Sequence, residues 1–390
     1  DCVDYIVSEC TAAEQALPAT QTGLNYGRAS RGSCLALISR VLLYAASPLF
    51  NGTTLTTGSL ASVVGYPTAD PGRWQKAADA AAALIGSDSY SLYTQDGKPG
   101  KGFQTLFAQR YNSEYIFQVM RPTGNDDLEQ VWDPPSRSGG GGAFPYQEIV
   151  DAFPMANGKS ITDPTSGYDP NNPYANRDPR LDYSIIHDQT KLAIRLGTGY
   201  GPVNIYLGTY NGVPAGSDAV YAGTPTGYYT NKMLDTNAVS TDLTHNTSRC
   251  LPLIRYAEIL LNYAEAQNEA TGPNANVYSA VEKIRQRAGL NPYQLPVGLS
   301  KDDMRKVIQN ERQIELAFEG HRFWDVRRWM IADQTENQEM TGMEVTRTNT
   351  TVAFKRFNVR KHNFRKAMYL WPIPQSELAK STELVQNPGY

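Results

Sequence analysis

The sequence predicts a mainly α-helical protein of degenerate tetratricopeptide-like helical hairpins, with a large loop-rich layer and few short strands. Two observations predict this. Three stretches each read as a helix, a turn and a second helix, with apolar residues recurring at helical spacing. Between the first and second of them, from roughly Pro122 to Arg249, the chain is rich in Gly, Pro, Asn, Asp and Tyr and has no helical period.

The first hairpin opens with GRASRGSCLALISRVLLYAAS, which puts Leu35, Ile38, Leu42 and Ala45 on one face. Its second helix is RWQKAADAAAALIGS, with Trp74, Ala77, Ala78, Ala81 and Leu84 or Ile85 facing inward. The long loop from Ser47 to Arg73 makes the unit degenerate rather than a strict repeat. The second hairpin is RYAEILLNYAEAQNEATG followed by NVYSAVEKIRQRAGL; small alanines let the helices approach, and Gly272 and Gly289 end them. The third is DDMRKVIQNERQIELAFEG followed by HRFWDVRRWM, with Gly320 at the joint. Met304, Val307, Ile308, Ile314, Ala317 and Phe318 mark one buried stripe, and Phe323, Val326, Trp329 and Met330 the other. Upstream, Val3, Ile6, Val7 and Cys10 read as the middle of a helix with no leader before it, so the natural start is expected to lie further upstream and Cys2 is not expected to carry a lipid.

The middle stretch has strand-like pieces such as YIFQVM just before it and LDYSII within it, and turn signals such as NNP, NGV and PTG. Its many aromatics argue against disorder and for an elaborate loop layer laid on the helices. The expected organisation is residues 1–121 as a helical repeat part, 122–250 as a loop-rich ligand-facing region and 251–390 as a C-terminal helical region.

Composition narrows the function. With 36 basic and 39 acidic side chains the formal net charge is −3, and no basic stripe stands out, which speaks against nucleic acid as a partner. No run of about 18 apolar residues is present to span a bilayer. Cys2, Cys10, Cys34 and Cys250 lack metal-ligand spacing; a Cys2–Cys10 bridge and buried free thiols both remain open. His187, His245, His321 and His362 show no pairing suited to zinc. An Asp- and Asn-rich loop such as DPNNP, from Asp169, is of the kind that can hold a structural calcium ion, and no other cofactor is expected.

The charge-dense segment Asn310 to Trp329 poses the question of catalysis. Glu311, Glu315 and Glu319 recur every four residues, so they repel unless cations compensate. Arg312 lies three residues before Glu315 and Arg322 three after Glu319, and Arg285 and Arg287 are further candidates. Hydrolysis of a glycoside needs two carboxylates facing each other across an open cleft, and a general acid needs a raised pKa. Acids stacked on one helix beside arginines give neither, so Glu311, Arg312, Glu315, Glu319 and Arg322 read as a structural ion-pair network.

These segments resemble the SusD/RagB family in order and spacing. The resemblance rests on Arg255-Tyr-Ala-Glu-Ile-Leu-Leu-Asn-Tyr-Ala-Glu-Ala266, Val281-Glu-Lys-Ile-Arg-Gln-Arg-Ala-Gly289 and Glu311 to Trp329, with Tyr369-Leu-Trp-Pro-Ile-Pro-Gln-Ser-Glu377 and Gln386-Asn-Pro-Gly-Tyr390 in the tail. Gly27-Arg-Ala-Ser30, Gln147-Glu-Ile-Val-Asp-Ala-Phe153 and Asp178-Pro-Arg-Leu181 agree. The resemblance implies a non-catalytic outer-membrane lipoprotein of Bacteroidetes. Such a protein captures oligosaccharide or peptide nutrients at the cell surface and acts as the lid of a SusC-like TonB-dependent transporter. It also implies that roughly the first third of the mature protein, with the lipid anchor and part of the ligand site, is not in this chain.

A sugar binder needs exposed rings for apolar C–H faces and polar side chains for the hydroxyl rim. Trp132, Asp133 and Arg137, beside the glycine run 139–142, fit that demand. Tyr200, Tyr210, Tyr221, Tyr228 and Tyr229, with Tyr206 among them, form a second aromatic set. For each, packing of the loop on the scaffold is the competing reading. Trp74, Trp324, Trp329 and Trp371 lie in helices or in the WPIP motif and are expected in the core. Two rivals stand beside nutrient capture: a glycoside hydrolase of helical architecture and a tetratricopeptide scaffold that binds only proteins.

Overall fold

The three hairpins are present in the computed structural model, which describes residues 1–52, 55–56, 60–95, 98–122, 128–194, 199–235 and 249–390. Helix α1 (Cys2–Glu14) is followed by α2 (Arg31–Ala46) and α3 (Gly72–Ile85). The second hairpin is α4 (Tyr256–Thr271) with α5 (Ala275–Ala288), and the third is α6 (Lys301–Glu315) with α7 (Arg322–Arg328). Their ends are set locally. Ser30 and Ser33 exchange hydrogen bonds in a capping box that starts α2. Asn274 accepts from the N–H groups of Asn276 and Val277 to start α5, and Ser300 accepts from Asp303 to start α6. Gly289, at φ 88°, closes α5 in the left-handed region that favours glycine.

The helices pack in sequence, α2 on α3, α3 on α4, and α4 on both α5 and α6. Ala77, Ala78, Ala81 and Leu84 of α3 are all buried, as the helical period predicts. Ala81, Ile259, Ala264, Ala280, Ile284 and Met304 meet in the main core. The alanines keep the helices close, and the larger side chains fill the remaining space. Helix α1 has only half-buried apolar residues on α2, and the thiols of Cys10 and Cys34 hydrogen-bond across that contact. All four cysteines are free, which removes the Cys2–Cys10 bridge.

Two strands join the layers. β1 (Tyr115–Met120) pairs antiparallel with β4 (Cys250–Arg255), which runs directly into α4. In the loop layer, β2 (Leu207–Tyr210) pairs with β3 (Val213–Pro214) and lies parallel against β5 (Glu339–Arg347). β5 in turn forms a hairpin with β6 (Val352–Lys361), giving the order β6–β5–β2–β3. This hairpin departs from the helical reading of residues 251–390. Met340, Met343 and Val345 of β5 are buried, and the turn at Thr348–Thr351 reverses the chain. Its alternation was a legible strand signal.

The loop layer has its own core. Val150, Phe153, Leu181, Ile185, Tyr206 and Tyr228 pack against Ile314 of α6 and Met343 and Val345 of β5. Arg177 donates to the carbonyls of Pro173, Val150 and Phe153 at 2.6–2.7 Å and so ties three turns together. Asp169 accepts from the N–H of Asn171 at 2.8 Å, making the DPNNP loop a hydrogen-bonded turn.

Candidate functional site

The acidic residues are bound by cations at the junction of the layers. Glu315 is fully buried and takes hydrogen bonds from Arg180 (2.9 Å), Arg255 (2.7 Å) and Arg287. Glu311 receives Arg180 at 2.6 Å, with Arg285 3.8 Å away. Glu319 receives Arg255 through two nitrogens and Lys232, each at 2.7 Å. Burial raises the pKa of each glutamate; at Glu315 and Glu319 the surrounding cations overcome it and bring the carboxyl down to about 2, whereas at Glu311 burial prevails over Arg180 and Arg285 and the pKa stays raised.

Two partners differ from the sequence expectation. Arg312 turns away from Glu315 to Asn262 (2.7 Å) and Asp325 (3.2 Å). Arg322 makes no ion pair with Glu319. The helix stops at Glu315, a turn with Phe318 at φ 63° follows, and Glu319 is carried to Arg255 instead. The cations that complete the network come from far along the chain, Arg180 and Lys232 from the loop layer and Arg255 from the end of β4. Spacing within one helix holds no signal for them.

Of the sequence-predicted ligand residues, Asp133, Arg137, Tyr228 and Tyr229 are sealed inside. Tyr228 and Tyr229 have no exposed surface. The Tyr228 hydroxyl donates to Gln147 at 2.5 Å, and the Tyr229 hydroxyl to the Asp218 carbonyl at 3.0 Å. These are satisfied core tyrosines, not platforms for a sugar. Arg137 is buried and donates to the carbonyls of Gly201 and Pro202, so it fastens the loop. Asp133 is also buried; burial, with Glu129 beside it, pushes its carboxyl up to about 7. Tyr210 is half-buried under the Arg347 guanidinium, 5.0 Å from its ring centroid. Tyr200 and Tyr221 are exposed, but outside the large cleft described next.

That cleft, about 830 Å³, opens where the third hairpin, β4 and the loop layer meet. Trp132 and Leu128 form part of its wall, and Trp324 and Trp371 another part. The glycine run explains how Trp132 is held: the N–H groups of Gly140 and Gly142 bind the carbonyls of Gln130 and Val131, folding the loop back on the turn that carries it. A Cβ at Gly139 would collide with the Asp133 carbonyl.

Trp324 and Trp371, expected in the core, are 45% and 60% exposed. Helix α7 turns Asp325, Val326 and Arg328 inward and leaves Phe323 and Trp324 outward. Phe323, expected in the buried stripe, therefore lies at the surface. Its ring centroid lies 4.9 Å from that of Trp324 and 5.6 Å from that of Trp371. The C-terminal motif holds Trp371 in place: Gln386 exchanges two hydrogen bonds with Ile373, and Asn387 donates to the Trp371 carbonyl at 2.6 Å. Trp329 is buried as expected and donates its indole N–H to Glu265 at 2.8 Å; Trp74 is half-buried against α2.

Among the described residues lining the cleft, Glu319 is the one carboxylate, and it is already bound by Arg255 and Lys232. A glutamate ionised at neutral pH and held by two cations is not a general acid, and no second carboxylate faces it among the described lining residues. Among the described residues no cluster of three or more His, Cys, Asp or Glu side chains is set to hold a metal; His245 lies outside the described residues. What the cleft offers is aromatic and aliphatic surface with arginines in its lining.

Comparison with known proteins places this architecture. The SusD family model matches residues 93–390. SusD-like protein P2 of Formosa agariphila is 35% identical over 143 residues, and SusD-like protein P25 of the same organism 31% identical over 152. These stretches cover 35% and 37% of this chain but only 25% of either relative. Among solved structures, a SusD-like protein of Bacteroides fragilis superposes with a TM-score of 0.77 at 29% identity, covering 100% of this chain and 71% of that one. A SusD-like carbohydrate binding protein of the same species gives 0.70 at 25% identity, covering 97% and 69%. Helical hairpins, loop layer, C-terminal motifs and family match agree, and the chain belongs to the SusD family.

Proposed function

We propose that this chain captures an oligosaccharide, or alternatively a peptide, without cleaving it, at the outer-membrane surface for a partner SusC-like TonB-dependent transporter. The observation that carries the reading is the pair of exposed tryptophans, Trp324 and Trp371, facing an 830 Å³ cleft that also takes Trp132 into its wall. Exposed indoles lose little on leaving water and stack on the C–H faces of sugar rings. The neutralised glutamates support the non-catalytic part, and the solved relative described as carbohydrate binding supports the ligand class. Family membership supports the membrane location and the transporter. Calorimetry with a panel of neutral and acidic oligosaccharides and short peptides tests the reading. Binding that weakens in Trp371→Ala and Trp324→Ala is expected. Sustained release of reducing ends from a polysaccharide would replace it with the hydrolase.

The aliphatic part of the wall favours a second reading. Leu251 and Leu253 of β4 are exposed toward the cleft and offer a sugar no hydrogen bond. They suit a polypeptide surface, such as the transporter's. If Leu251→Ser with Leu253→Ser abolishes co-purification of the transporter and leaves saccharide affinity intact, the cleft serves both partners. If no saccharide or peptide binds while the transporter is retained, the protein-only scaffold stands.

A further inference from the structure

A second cleft, about 580 Å³, lies on the other side of Phe323, between the start of α7 and the end of β6. Arg322, Arg327, Arg360 and Lys361 line it, with Glu336 as the one carboxylate among the described lining residues. Glu336 is already engaged by His362, whose Nδ1 lies 3.3 Å away. Arg327 donates to the carbonyls of Met368 and Phe323, at 3.0 and 2.8 Å, and to no acid. Arg322 is half-buried, yet neither it nor Arg360 or Lys361 has a side-chain hydrogen bond or ion pair among the described residues. Elsewhere in this protein Arg180, Arg255, Arg312 and Arg328 each hold a carboxylate, and Arg137 and Arg177 donate to backbone carbonyls. A guanidinium partly withdrawn from water with no carboxylate in ion-pair contact is costly, and burial pulls the Arg322 pKa down despite the opposing fields of Glu336 and Asp325. Such a group is poised for an anion.

The cleft adjoins the aromatic one. Arg327 lines both, with its guanidinium 3.5 Å from the centroid of Phe323. One extended ligand can therefore lay a ring against Trp371 and reach the cationic pocket with a charged substituent. We propose that Arg322, Arg360 and Lys361 form an anion-reading subsite that selects acidic oligosaccharides, bearing carboxylate or sulfate groups, over neutral ones. This inference rests on the capture reading above and names its ligand class. Planar guanidinium forks suit both carboxylate and sulfate oxygens.

The test is calorimetry at low and high sodium chloride with three oligosaccharides of equal length: neutral, uronate-containing and sulfated. At least one acidic ligand is expected to bind about tenfold tighter than the neutral one at low salt, an advantage that shrinks as salt rises. Arg322→Gln and the Arg360→Gln/Lys361→Gln pair are expected to erase that advantage while leaving neutral binding and the melting temperature unchanged. The uronate and sulfate arms separate the two anion chemistries. Neutral and acidic ligands binding equally well, or variants that keep the preference, would overturn the subsite but leave capture standing. No saccharide binding at all would overturn the subsite and the saccharide form of the capture reading. Binding to phosphatidylglycerol vesicles without any preference among saccharides would assign the cleft to a membrane surface and overturn the proposal.

Discussion

Arg328 and Arg322 sit on the same short helix and have opposite fates. Arg328 is buried, pairs with Glu265 and Asp325 and donates to Ser47. Arg322 is half-buried, makes no ion pair among the described residues, and faces an open cleft. The same contrast holds for the aromatics of the segment: Trp329 gives its N–H to Glu265, while Trp324 stands in the wall of the large cleft. One helix thus presents a structural face and a capture face. The lesson concerns partners rather than residue types: a charge or ring is available for a ligand when the fold leaves it unsatisfied.

The strongest way to break this contrast is at the centre of the network. Glu315→Ala takes one carboxylate from Arg180, Arg255 and Arg287, which keep Asp178 and Glu311, Glu114 and Glu319, and Glu114 respectively, so the buried network is left one positive charge in excess and the expected cost is about 3–5 kcal/mol in urea unfolding. A loss under about 1 kcal/mol would show that the cations re-pair or rehydrate, and would dissolve the distinction between the faces. Acid is a milder probe of the same carboxylates. The folded state holds Glu315 and Glu319 at about 2, below their ordinary 4.5. Their stabilisation is complete above 4.5 and is lost as pH falls toward 2, so the melting temperature should drop across that window. A melting temperature flat from pH 5 to pH 2.5 would contradict this.

Asp133 should behave in the opposite sense. Its carboxyl is held up at about 7 against an ordinary 3.8, so its contribution is present below 3.8 and lost as pH rises through 7. Asp133→Asn should therefore stabilise the protein at pH 8, on the order of 1–3 kcal/mol, and have little effect at pH 4. Equal effects at both pH values would mean that the carboxyl is already solvated.

On the capture face, Trp371→Ala should weaken saccharide binding about tenfold while changing stability by less than about 1 kcal/mol. A large fall in melting temperature with unchanged affinity would move Trp371 back to the structural side. The smallest expected effect is Arg322→Gln, within about 0.5 kcal/mol of the parent in unfolding, because no partner is stranded. Set beside Glu315→Ala, it measures how sharply the protein divides its charges.

The helices were legible because their cause is local. Ala77, Ala78, Ala81 and Leu84 recur at the helical period, and the same period buries them. The β5–β6 hairpin was legible in principle, from its alternation and threonine-rich turn, but the charged and methionine-containing run hid it. Of the cleft's tryptophans, Trp132 was legible as a display residue and Trp324 and Trp371 were not. Tyr228 and Tyr229 sit among Gly, Thr and Pro and look like display residues, yet strands and turns distant in sequence close over them. Trp324 sits on a periodic helix and looks like core, yet it stays half exposed in the cleft wall.

By itself, the sequence determined the helical hairpins, their caps and turns, the ordered loop layer between them, and the conversion of the clustered glutamates into structure. Each follows from interactions within a few residues or from the cost of leaving like charges uncompensated. Only the tertiary structure decided which cations complete the network and which rings remain in water. Burial is a property of the surfaces that meet at a point. Arg180, Arg255 and Glu315, or Trp132, Trp324 and Trp371, come together only once distant segments have folded against one another.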